Sequence, residues 1–294
     1  MRSSIGERSL KRRLSLAINT ALAGKTYPTA TYEVTADSIR AYAAATNEDN
    51  PAFTGSDPVG PPAFPVVPAQ AMLAGALFDS ELEVNLMRLV HGEEDHLLLA
   101  PIRPGDTLTV EGSLESIEVK ESGETFTVFT RLTNQDGVTA AELRSLLFVR
   151  GSGARTKAAA EESPPEPEYV FTTSQTVDED QTYRYAEASA DHNPIHTDPE
   201  FARNAAGLPG IILHGMATMA FASKAVLDAV AGGDPARLRR IKVRFSKPVF
   251  PGETLTTRGW VESRAGGVTT YGFETLNGRG SPVLRNGIAE VLDT

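Results

Sequence analysis

An internal repeat constrains this chain more than any other feature of its sequence. Asn50-Pro51 recurs as Asn193-Pro194. Pro104-Gly105-Asp106-Thr107-Leu108-Thr109 recurs as Pro251-Gly252-Glu253-Thr254-Leu255-Thr256, and Leu114-Glu115-Ser116 as Val261-Glu262-Ser263. The offset stays between 143 and 147 residues. Two copies of one fold explain a near-constant offset, and two unrelated domains do not. Between the copies lies GSGARTKAAAEESPPEPE, residues 151–168, with two glycines, three prolines and no large apolar side chain. That composition reads as a linker. The expected division is a basic extension over 1–24, a first copy over 25–150, the linker over 151–168 and a second copy over 169–294.

Each copy follows the same plan. A short helix ends near the Asn-Pro (38–45; 178–189). A helix of small and apolar residues on every side follows (69–77; 215–227). Such a helix has to be enclosed by other structure. Alternating strands come next, at 108–119, 125–133 and 140–149, then at 241–245, 254–261, 269–276 and 281–291. Their period of two marks an antiparallel sheet with one covered face. The fold class is therefore α+β, one buried helix wrapped by a sheet, made twice.

Composition removes several functions. The chain has no cysteine, which excludes a disulfide framework, a zinc ribbon and thiol catalysis. A net charge of −10 speaks against nucleic acid as a partner. No apolar run reaches the ~18 residues of a membrane span. The first 24 residues carry Arg2, Arg8, Lys11, Arg12 and Arg13 against Glu7. They read as a basic amphipathic extension, with a targeting peptide as the alternative, and the expected compartment is the cytoplasm.

The chemistry concentrates in the second copy. Tyr185-Ala-Glu-Ala-Ser-Ala-Asp191-His-Asn193-Pro194-Ile-His196 places a carboxylate and an imidazole either side of a helix-breaking Asn-Pro. A tight turn there brings Asp191 and His196 around one small molecule, where the pair can bind and deprotonate water. A plain Asx turn is the alternative. The repeat decides between them. The first copy keeps the turn as Asn47-Glu48-Asp49-Asn50-Pro51-Ala52-Phe53, with Glu48 for Asp191 and Phe53 for His196. A structural role would apply to both copies, so the surplus pair belongs to function. Downstream, Leu213-His214-Gly215-Met216 opens the buried helix. Free N–H groups at a helix start favour developing negative charge, and Gly215 lets an acyl oxygen approach. His214 reads as a satisfied structural histidine and not as a proton carrier.

The stretch from Tyr185 to Ala202, followed by His214-Gly215-Met216, resembles the hydratase motif of the MaoC-like, R-specific enoyl-CoA hydratase (hydratase 2) family. One departure is Ala190, where the family usually has Gly. The resemblance implies a double hotdog fold with an inactive first copy. It implies Asp191 and His196 as the catalytic dyad, Asn193 as the residue that orients them, and the Gly215 N–H as the group polarising a thioester carbonyl. His214 and Met216 then border the substrate. The implied reaction is hydration of trans-2-enoyl-CoA to (3R)-3-hydroxyacyl-CoA, or its reverse, with no cofactor and no metal. The partner is an acyl-CoA or acyl-carrier thioester, met by a monomeric double hotdog or a homodimer.

Arg239, Arg240, Lys242, Arg244 and Lys247 fall within nine residues of an acidic protein. They are expected to grip the phosphates of coenzyme A, with a solvated strand face as the alternative. His91 and His96 are expected in loops, His91 near the acyl path where the copies meet. Gly75, among Ala74 and Ala76, suggests a hole in the first copy that admits a bulky acyl group. The rival readings are an acyl-CoA thioesterase and a non-catalytic acyl-CoA-binding hotdog protein. The absence of an acid between Gly215 and Leu227 argues against the first.

Overall fold

The structure is a computed structural model and describes residues 18–120, 122–151 and 166–294. Most of the basic extension and of the linker therefore lies outside the described residues. The strands are β1 (Ala30–Glu33), β2 (Leu89–Leu98), β3 (Thr107–Lys120), β4 (Gly123–Thr133), β5 (Thr139–Arg150), β6 (Phe171–Thr176), β7 (Leu238–Phe245), β8 (Thr254–Ala265), β9 (Val268–Leu276) and β10 (Pro282–Leu292). They form one ten-stranded sheet in the order β1-β3-β4-β5-β2-β7-β10-β9-β8-β6. The order reads the same from either edge once β1–β5 are matched with β6–β10. The repeat thus generates a pseudo-two-fold sheet that closes at the antiparallel β2–β7 seam. This is the double hotdog arrangement implied by the sequence.

The helices are α1 (Ala36–Ala45), α2 (Pro51–Thr54), α3 (Val66–Leu77), α4 (Gln181–Ser189), α5 (Pro199–Asn204) and α6 (Gly215–Val230). Helix α6 buries Met216 to Ser223 and Ala225 to Leu227. Its alanines keep the cylinder thin enough for strands to pack close around it, and the hydrophobic effect holds it there. α6 extends three residues past the expected end and takes in Asp228. That carboxylate is bound to Lys224, at the far end from Gly215. The ring of Tyr27 lies over Gly75, 3.5 Å from where a β-carbon would sit, so the expected hole is filled.

The sequence pattern missed β2 because Glu93-Glu94-Asp95-His96 looks like a surface loop. In the seam Glu93 faces Arg244 and Asp95 faces Lys242 in register. The outward side chains pair: Arg240 holds Asp95 at 2.7 Å and Glu290 at 3.0 Å, and Lys242 holds Glu93 at 3.2 Å. The inward ones, Glu94 and His96, are fully buried. A bulge at Gly92 turns His91 to the same face as Glu94. A β-carbon at Gly92 would come within 2.8 Å of Leu146 Cδ2 and 3.1 Å of its carbonyl oxygen, so a side chain there would crowd Leu146. His91 Nε2 and His96 Nε2 contact the two Glu94 oxygens at 2.8 and 2.9 Å. Both histidines are strand residues, which corrects the loop expectation.

Candidate active site

Helix α4 ends where Ala190 adopts the left-handed conformation, φ 59° and ψ 20°. This is the position at which the hydratase motif usually has glycine, and a β-carbon there costs roughly 1–2 kcal/mol. The reversal is offset by a ladder of local bonds. The Ser189 hydroxyl donates to the Tyr185 carbonyl at 2.7 Å, and the Asp191 N–H donates to Ser189 Oγ at 3.3 Å. Asp191 Oδ1 accepts from the Asn193 N–H at 3.2 Å, and Asn193 Oδ1 accepts from the Ile195 N–H at 3.3 Å. The His196 N–H donates to the Asn193 carbonyl at 3.0 Å. Asn193 is exposed and shapes the turn through its carboxamide. Asp198 then caps α5 behind Pro199.

This turn folds back on the start of α6. One ligand-type atom each from Asp191, His196 and His214 lies within 4.8 Å of the other two. Two hydrogen bonds of about 2.8 Å meeting at a tetrahedral angle span about 4.5 Å, so one water bridges such a gap. His196 Nδ1 donates to the Ile212 carbonyl at 2.8 Å. That bond fixes the tautomer and leaves Nε2 as an acceptor. Burial pulls the His196 pKa below the usual histidine range, against the opposing pull of Asp191. The ring is therefore neutral at pH 7 and able to take a proton. Burial and the neighbouring His196 likewise pull His214 down.

The three groups have the donor types of a metal site. The rings of His196 and His214 are stacked at 3.7 Å and 24°, so their planes lie side by side and not edge-on to a common point.

The start of α6 completes the cluster of polar groups. Its N-cap residue, His214, makes no side-chain cap bond, so the first-turn N–H groups keep their donor capacity. Gly215 sits under Phe245, and a β-carbon on it would lie 3.2 Å from that ring. Met216 is buried beside it. His214 Nε2 donates to the Asp191 carbonyl at 2.9 Å, a contact the sequence did not signal. His192, between the dyad residues, is exposed.

The basic strand is less available than its composition suggests. Arg240 is closed by Asp95 and Glu290, and Lys242 by Glu93. Arg239 reaches the Leu99 carbonyl at 3.4 Å, and Arg244 is the most exposed of the four, 4.0 Å from Glu93. The strand first fastens the two repeats together.

A double hotdog with an Asp-turn-His pair facing a glycine-started buried helix defines a class, and the chain belongs to the MaoC-like dehydratase family. The MaoC like domain model matches residues 160–278, and the model for the FAS1-like, dehydratase domain region matches residues 21–143. Among relatives, the chain is 35% identical over 206 residues to 3-hydroxyacyl-thioester dehydratase Y of Mycobacterium tuberculosis, covering 66% of this chain and 70% of that one. It is 31% identical over 218 residues to a probable enoyl-CoA hydratase 2 of Dictyostelium discoideum, covering 71% of each. A MaoC-like dehydratase from Phytophthora capsici superposes with a TM-score of 0.79 at 27% identity, over 94% of this chain and 98% of that one.

Proposed function

We propose that the protein adds water across the double bond of a trans-2-enoyl-CoA thioester to give the (3R)-3-hydroxyacyl-CoA, or runs the reverse dehydration. The observation that carries this reading is that Asp191 and a neutral His196, its Nδ1 held by the Ile212 carbonyl, bring a carboxylate oxygen and a ring nitrogen within 4.8 Å of one another, beside the start of α6. The water binds between carboxylate and imidazole. One of them takes its proton as the oxygen bonds to C3, and the C2–C3 pair shifts toward the thioester carbonyl. The Gly215 N–H steadies the enolate oxygen, an interaction worth ~2.7–4 kcal/mol per donor in such sites. C2 then takes a proton from the same face, and the thioester carbonyl re-forms. No atom is left over: one water is consumed for one double bond. Asn193 holds the turn that presents both groups. Of the basic strand, Arg239 and Arg244 are the residues left for the coenzyme A phosphates.

A thioesterase needs a carboxylate aimed at the carbonyl from the central helix. Asp228 is the acid of α6, and it is tied to Lys224. The experiment is a spectroscopic assay with crotonyl-CoA. Loss of the enoyl absorbance without thiol release supports hydration, and thiol release would overturn it. In Asp191→Asn, the Asn oxygen still accepts the Asn193 N–H, so the melting temperature should move by only a few degrees. The rate should fall by about 10²–10⁴, the usual contribution of a positioned acid–base group. Near-normal turnover in that variant would remove Asp191 from the reaction.

A further inference from the structure

Five aromatic rings form a continuous column from the first repeat into the dyad. Phe64 meets Tyr42 edge-on at 5.6 Å, Tyr42 meets Tyr185 at 5.7 Å, Tyr185 meets His214 at 4.8 Å, and His214 stacks on His196 at 3.7 Å. All five are buried, with exposures of 7% or less. The Tyr42 and Tyr185 hydroxyls approach to 3.5 Å. Tyr42 belongs to α1 and Tyr185 to α4, so this contact crosses between the repeats.

His214 is the point where the column meets the chemistry. Its Nε2–H donates to the backbone carbonyl of Asp191, and its ring face covers His196. One side chain therefore touches both dyad members. His196 is pinned at Nδ1 by the Ile212 carbonyl, a bond that leaves the ring free to tilt about it. Stacking on a buried, immobile ring removes that tilt. His214 Nδ1 is buried with no hydrogen-bond partner.

We propose that His214 is a positioning residue that sets the geometry of Asp191 and His196, and that the first repeat holds it in place through Tyr42 and Tyr185. This rests on the hydratase reading above. It gives the repeat that lacks the dyad a part in the reaction of the other. His214 takes no proton; it limits where the two groups that do so can point.

The test uses three variants of the full chain. His214→Phe keeps the stacked ring and loses the bond to Asp191. His214→Gln keeps a donor near the Nε2 position and loses the ring. Tyr42→Leu breaks the column inside the first repeat. Crotonyl-CoA kinetics should show kcat lowered about 10–100-fold in both His214 variants with KM held within about three-fold, as expected for a misplacement of up to ~1 Å. Tyr42→Leu should lower kcat in the same sense. Nitrogen NMR of histidine-labelled protein should show the His196 ring signals shifted or broadened in His214→Gln, where the stacked ring is lost, while the Nδ1–H tautomer held by Ile212 is kept. A kcat within two-fold of the parent in both His214 variants would overturn the proposal. So would a rise in KM at unchanged kcat, which would make His214 a substrate contact instead. A parent protein without hydratase activity would refute the reaction, and the His196 ring signals in His214→Gln would then decide the positioning claim alone. Should Tyr42→Leu fail to fold, the two His214 variants still decide.

Discussion

Replacing Gly215 by alanine separates catalysis from folding, because the two effects differ in size. Gly215 has no left-handed backbone that would forbid a side chain. The added methyl would sit 3.2 Å from Phe245 Cε1 and 3.3 Å from its Cδ1. Phe245 is half-buried and at the end of β7, so its ring can yield by the few tenths of an ångström required. Alanine also favours helix over glycine by up to ~1 kcal/mol. The two effects oppose each other, and the net change in stability should stay within about 1 kcal/mol. The same methyl stands beside the N–H at which the thioester oxygen is to arrive. Blocking one such donor costs ~2.7–4 kcal/mol, or about 10²–10³ in kcat. Crotonyl-CoA kinetics and a thermal melt on the same preparation read both quantities. If kcat stays within three-fold of the parent while the melting temperature is kept, the start of α6 does not bind the enolate.

The seam and the silent copy yield two further expectations. Burial would raise the Glu94 carboxyl, but hydrogen bonds from His91 and His96 hold it at about 2, against an ordinary 4.5. A folded value below the unfolded one means stability present above pH 4.5 and lost as pH falls toward 2. By linkage, a shift of this size is worth about 3 kcal/mol. Glu94→Gln should therefore lower the melting temperature at pH 7 by about 6 °C, and the gap to the parent should close below pH 4.5. A gap that widens on acidification would show that Glu94 is protonated at neutral pH. In the first copy, Glu48 stands where Asp191 does in the second. Burial raises its pKa, while the Asn50 N–H and Lys224 at 3.3 Å oppose the rise. Lys224 also binds Asp49, and the Asn50 side chain donates to the Gly233 carbonyl at 2.7 Å. The relic turn has become an inter-repeat clamp. Glu48→Gln should cost about 1–2 kcal/mol in a urea melt and leave hydration within two-fold, and a collapse in rate with the fold retained would give Glu48 itself a part in the reaction.

Much of this molecule is determined locally. Turn residues at a near-constant offset, strands with a period of two and a helix of alanines need no partner to be recognised, because each reflects backbone geometry or side-chain volume. The Asp-x-Asn-Pro-x-His turn is local too: its Asx bonds run between residues two apart, and comparison with the first copy singled out Asp191 and His196. The availability of Arg240 is different. As a sequence it is one cation in a basic strand, and only β2 lying alongside reveals that Asp95 holds it. The same distance in sequence hid β2, whose acids look solvated until the other repeat supplies their partners and encloses Glu94.

The amino-acid sequence by itself determined that there are two copies, that each wraps a helix, and that the second alone has an Asp and a His flanking its Asn-Pro. Only the tertiary structure decided what His214 and Tyr42 touch, because their contacts are with residues 23 and 143 positions away. Periodicity and turn chemistry act over a few residues along the chain. Stacking, burial and the neutralisation of charge act across a few ångströms of space, and folding alone brings those neighbours together.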